Sequence, residues 1–233
     1  AQRGADPIIG VGFAQADALA KVAKEFPDTR FAIIDAVVDL PNVRSIIFKE
    51  HEGSFLVGMI AAMKSETGKV GFVGGMDIPL IRKFACGYRQ GVQDTNADVE
   101  ILENMTGTTP AAWNDPAQGA ELAQGQIDRG ADVIYHAAGG TGMGVIRAAA
   151  DAGKLAIGVD SNQNYLHPGT MLTSMLKRVD VAAYKAFMDA KEDKFTSGVQ
   201  VLGLAEGGID WALDEHNKAL ITDEMKAAVE KAK

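Results

Sequence analysis

The chain has 233 residues and a formal net charge of -8, from 23 basic and 31 acidic side chains. That balance lacks the basic footprint of a nucleic-acid polymer binder and argues against electrostatic docking on anionic lipid. A hydrophobic share of 47% excludes wholesale disorder, and the single cysteine, Cys86, excludes an intrachain disulfide. No run approaches the roughly 18 apolar residues that span a bilayer.

Strand and helix signals alternate from end to end. Residues 7–13 (PIIGVGF) form an apolar, β-branched run that predicts a buried strand. Leu19, Val22, Ala23 and Phe26 then share one face of a helix. Strands are predicted over 31–34 and 43–48, a helix over 53–63 and a strand over 70–73. Pro79 opens a helix running to about Gln93. A strand over 99–102 precedes a helix opened by Pro116, with Ala120, Ala123 and Ile127 inward. Strands at 133–135 and 155–159 flank a helix at 142–152. A strand at 170–175, a helix marked by Val179, Ala182, Ala183 and Ala186, and a strand at 199–204 follow. Thr222 is the predicted N-cap of a last helix whose inward face is Met225, Ala228, Val229 and Ala232. Repeated βα units with short connections mean an α/β fold with mainly parallel sheets.

In such sheets ligands bind beyond the carboxyl ends of the strands. The residues there are Asp35, the Gly74-Gly75-Met76-Asp77 turn, Trp113-Asn114-Asp115-Pro116, Gly139-Gly140-Thr141-Gly142, Asp160 and Lys177. Two carboxylates suit pairs of vicinal hydroxyls, an indole suits a flat ring, and glycines let backbone N–H groups approach a ligand. Each residue alone also fits a plain structural role: a turn-forming Asp, a core Trp, a solvated Lys.

Other chemistries find less support. Starting the glycine turn at Gly140 puts the third glycine of a dinucleotide fingerprint at Val145, and starting at Gly142 puts it at Arg147. His51, His136, His167 and His216 form no metal-binding pair, and no nucleophile elbow or P-loop is present. Neither a metal nor a cofactor is expected. Cys86, inside a predicted helix, reads as a small buried hydrophobe.

The segments IIGVGFAQADALAKVAKEFPDTRFAIIDAVVDLPNVRSIIFKEHEGSFLVGMIAA, WNDPAQGAELAQGQIDRGADVIYHAAGGTGMGVIRAA and IGVDSNQ…PGTMLTSMLKRVD resemble the basic membrane protein family of substrate-binding proteins. The resemblance implies the nucleoside-recognising component of an ABC importer, often purine-selective, exported to the periplasm or lipid-anchored at the cell envelope. It implies a type I periplasmic-binding-protein-like fold of two Rossmann-like lobes, joined by three crossovers, with ligand held in a closing cleft. The expected partition is lobe one at 1–49 and 161–198, lobe two at 50–160 and 199–210, and a C-terminal segment and helix at 211–233. Family members begin with a strand and helix before the counterpart of 7–13, so one or two N-terminal βα units of lobe one are expected to be missing. A monomer working with a membrane permease is expected, and no catalysis. Carried over by motif, Asp35 and Asp160 become hydroxyl-binding acids and Trp113 an aromatic against the ligand. Gly139 and Gly140 become a backbone edge, Lys177 a polar contact, and Phe84 in IRKFACGYRQG a ligand-facing ring. The competing reading is a nucleoside- or dinucleotide-processing α/β enzyme. A cytoplasmic sensing domain of a regulator would call for an appended basic segment.

Overall fold

Short apolar runs rich in Val, Ile and Phe form the strands, and amphipathic runs between them form the helices. The computed structural model describes residues 1–233. Along the chain come β1 (Ile8–Val11), α1 (Ala16–Glu25), β2 (Phe31–Ile34), β3 (Val43–Phe48), α2 (Glu50–Lys64), β4 (Lys69–Met76), α3 (Pro79–Thr95), β5 (Glu100–Gly107) and α4 (Pro116–Asp128). Then follow β6 (Val133–Ala137), α5 (Gly142–Asp151), β7 (Leu155–Asp160), β8 (Met171–Lys177), α6 (Val179–Lys191), β9 (Gly198–Leu202), β10 (Ile209–Trp211) and α7 (Asp223–Ala232). Proline opens α3 and α4, where its missing N–H leaves no intrahelical bond unmade. Asp115 caps α4 by accepting from the Gln118 backbone N–H at 3.0 Å, and Thr222 caps α7 by accepting from that of Met225 at 3.1 Å.

The strands form two sheets, one in the order β1-β2-β3-β9 and one in the order β10-β8-β7-β6-β4-β5. From β1 to β9 and from β5 to β8, every paired neighbour runs parallel. The chain divides into two units accordingly: residues 1–49 with 178–209, and residues 50–177 with 210–233. In the smaller unit Leu19 and Ala23 of α1 pack on Phe31, Ile33 and Val43. In the larger unit α4 and α5 bring Ala123, Val145 and Ala148 onto Val73, Leu102 and Ile134 of the sheet. Each fully buried Val, Leu, Ile or Phe side chain contributes about 1.5–3 kcal/mol.

Two strands depart from the expected partition. β8, placed by the sequence in lobe one, lies in the six-stranded sheet beside β7. β9, placed by the sequence in lobe two, pairs with β3 in the four-stranded sheet. The 210–233 segment joins the larger unit, where α7 packs on α2. Parallel pairing is non-local, so a strand's own residues do not say which sheet it enters. Cys86 also departs: it is exposed on α3, while its neighbours Ala85 and Gly87 face inward.

Candidate functional site

The order of the six-stranded sheet locates its crevice. From β4 the chain moves outward to β5, then returns to β6 on the other side of β4. That reversal leaves an opening at the carboxyl ends of β4 and β6, where open α/β sheets bind ligands. Beyond β6 come β7 and β8, so the ends at Gly75, Gly139, Asp160 and Lys177 belong to four successive strands.

Trp113 closes the short 3-10 turn Pro110–Trp113 that follows β5 and is half-buried. Its six-membered ring lies against β4: a Cβ at Gly75 would fall 2.7 Å from Cε3, and nearer still to Cζ3. Gly139, left-handed with φ 56, also approaches this ring: its Cβ would fall 3.6 Å from Cε3. Gly140 faces the backbone of the same turn, its Cβ position 3.1 Å from the Trp113 carbonyl oxygen. The buried hydroxyl of Thr141 ties the two segments together. It accepts from the Asp115 N–H at 2.7 Å and donates to the Ala112 carbonyl at 2.8 Å.

Asp160 ends β7 in the left-handed region, φ 64, with an exposed side chain. The loop beyond it is anchored by a polar network. Gln163 Oε1 accepts from the Val159 N–H at 2.8 Å and from His136 Nε2 at 3.1 Å. The Gln163 N–H donates to Ser174 Oγ, which in turn donates to Asn164 Oδ1 at 2.8 Å. Asp214 receives the amides of Asn162 and Asn164 at 2.6 and 3.0 Å. Burial works against the Asp214 charge, but the bonds from Asn162, the His216 backbone and Asn164 outweigh it and hold its pKa below the usual carboxylate value. His136 is fully buried, and desolvation, opposed by the Gln163 bond, pushes its pKa down to about 4. Asp214, Glu215 and His216 offer atoms within 4.8 Å of one another, the one grouping with metal-ligand chemistry. The Asp214 carboxylate there is already committed to Asn162, Asn164 and the His216 N–H.

Lys177 is the last residue of β8, one past the partner of Asp160 in the sheet register. It is buried, with Nζ 3.3 Å from Glu50 Oε1 and 5.9 Å from the centre of the Phe84 ring. Phe84 is buried on α3, within the larger unit. Asp35 is carried by the smaller unit at the end of β2. It too is left-handed, φ 69, and its N–H donates to the Ile46 carbonyl at 2.9 Å.

Among the sequence candidates, the structure brings Trp113, Gly139 and Gly140 into contact, and Lys177 onto Phe84. Sequence reasoning missed Glu50, a lone acid in the first turn of a helix that reads as solvated. It missed Thr141, whose hydroxyl looks like part of a glycine turn, and Gln163, whose role needs the fold. The predicted first strand stops early, at Val11, and Gly12, with φ 98, turns the chain into a short 3-10 helix opened by Phe13.

Comparison with known proteins agrees with this architecture. A family model, Bmp, described as "ABC transporter substrate-binding protein PnrA-like", matches residues 1–233. The chain is 34% identical over 251 residues to the "ABC transporter nucleoside-binding protein BmpA" of Lactococcus lactis subsp. cremoris, covering 100% of this chain and 69% of that protein. It is 35% identical over 220 residues to "Basic membrane protein D" of Borreliella burgdorferi, covering 91% of this chain and 63% of that protein. The chain thus spans about two thirds of the length of these curated relatives. A crystal structure of ABC transporter system solute-binding proteins from Aeropyrum pernix K1 superposes with a TM-score of 0.87 at 32% identity, covering 99% of this chain and 75% of that one.

Proposed function

Because the chain belongs to the Bmp family of PnrA-like ABC transporter substrate-binding proteins, which are binding proteins and not enzymes, we propose that it captures a purine nucleoside outside the cytoplasm and delivers it to a membrane permease. No helix of the chain is long and apolar enough to cross a membrane.

The observation that carries this reading is the Trp113 indole at the sheet reversal, close to the side-chain-free Gly75 and Gly139. A flat heteroaromatic base is the ligand such a face stacks best. Asp160, on the next strand but one from β4, supplies a carboxylate to vicinal ribose hydroxyls, and Asp35, just after β2, is a second candidate acid for that chemistry. Lys177 donates to a ligand acceptor. The name of the Lactococcus relative, a nucleoside-binding protein, supports the same class.

Charge-assisted hydrogen bonds contribute about 1.5–3 kcal/mol each. Asp35→Ala and Asp160→Ala are therefore each expected to weaken nucleoside binding at least tenfold, which corresponds to about 1.4 kcal/mol. Titration calorimetry on both variants tests it. Affinities equal to wild type for every purine nucleoside would remove these two residues from the site.

A further inference from the structure

Glu50 is an ionisable side chain with no ordinary reason to be buried, yet none of it is accessible. It sits in the first turn of α2, where the helix dipole favours a carboxylate. Its two oxygens face two ammonium groups. Oε2 lies 3.5 Å from Lys83 Nζ, whose side chain is 43% exposed, and Oε1 lies 3.3 Å from Lys177 Nζ, whose side chain is 4% exposed. Oε1 accepts no hydrogen bond in good geometry, so its engagement is the ionic contact with Lys177. Lys83 reaches solvent and has water as an alternative partner. Lys177 is shut away between the carboxylate and the Phe84 ring. A buried charge needs a partner of opposite sign, and stripping that partner away is far costlier than removing the pair together.

We propose that Glu50 is a positioning residue for ligand capture: its carboxylate neutralises and aims the Lys177 ammonium, and it acts on the ligand only through Lys177. This rests on the reading of Lys177 as a nucleoside contact. Glu50 lies in the larger unit with Lys177, so the device is complete within that unit. The ammonium arrives at the ligand already charge-balanced. What it offers is therefore directed hydrogen-bond donation rather than net positive charge, which suits a neutral base or sugar acceptor.

A double-mutant cycle tests this, with guanosine, inosine and adenosine as probes and dissociation constants from calorimetry. Lys177→Met and Glu50→Gln are each expected to weaken binding at least tenfold. The double variant is expected to bind within threefold of Lys177→Met, because Glu50 has nothing left to aim. A further tenfold loss in the double variant would overturn the proposal, since Glu50 would then act by another route. Glu50→Gln strands a buried cation and is the variant at risk of misfolding. In that event Lys177→Met and the double variant, which lacks both charges, carry the same comparison. If the wild-type chain binds none of the three probes, the nucleoside reading itself fails. If it binds and the cycle is additive, only the role of Glu50 fails.

Discussion

Trp113 rests on Gly75: the position of a Cβ on that glycine lies 2.7 Å from Trp113 Cε3. The indole can occupy the carboxyl end of β4 only because the strand has no side chain there. The Gly74-Gly75 pair is thus a seat for the ring rather than a flexible turn, and β4 runs through both glycines to Met76.

Gly75→Ala is expected to displace the ring. Overpacking of this kind costs about 1–3 kcal/mol, and urea denaturation would read it. In a Trp211→Phe background the remaining indole emission belongs to Trp113, and its maximum is expected to shift. Unchanged stability with unchanged emission would contradict the contact.

Thr141 predicts a separate loss. Its hydroxyl serves the Asp115 N–H and the Ala112 carbonyl. Thr141→Val keeps the shape, strands the Asp115 N–H and leaves the Ala112 carbonyl with only its bond from Thr106 Oγ1 at 3.0 Å, at a cost of about 1–3 kcal/mol. Thr141→Ser restores the hydroxyl and is expected to recover most of the loss. Equal melting of the Val and Ser variants would show that the bonds contribute nothing.

Asp35 and Asp160 share a backbone as well as a chemistry. Both have positive φ at the end of a parallel strand, 69° and 64°. Asp tolerates that region better than most side chains, and glycine tolerates it best. Replacement by Gly is expected to leave a fold about 1 kcal/mol more stable than replacement by Ala. Both replacements remove the carboxylate and are expected to weaken binding alike. Ala variants as stable as Gly variants would argue against strain at these positions.

Much of this was legible in the residues. Phe31–Ile34 and Val43–Phe48 are strands at the predicted boundaries, because each is a compact apolar run with polar punctuation. Pro79, Pro116 and Thr222 mark helix starts by local chemistry alone. β5 runs on to Gly107, past the predicted end at 102, because Glu103 and Asn104 pair with β4 although neither is apolar. The sheets entered by β8 and β9 depend on residues far off in the chain. Asp160 and Trp113 fall at the strand ends that the residue pattern alone marks. Glu50 carries no such mark, since a carboxylate in a first turn is ordinary until a buried ammonium stands beside it.

His136 gives a pH dependence with a definite sign. Its folded pKa, about 4, lies below the ordinary histidine value of 6.5. Between those values the unfolded chain takes up a proton that the folded chain does not. Stability is therefore highest above about pH 6.5 and falls as the pH drops toward about 4, by a total on the order of 3 kcal/mol for this group. Ring-proton NMR should place the His136 midpoint near 4. A midpoint at the ordinary histidine value would contradict its burial.

The central claim is that the chain captures an intact purine nucleoside. Native mass spectrometry after incubation with inosine, guanosine or adenosine tests it most directly. The account predicts a complex of one chain with one nucleoside, releasing that nucleoside unchanged on activation. The bare chain alone at saturating concentrations of all three, or the release of free base and sugar, would contradict it.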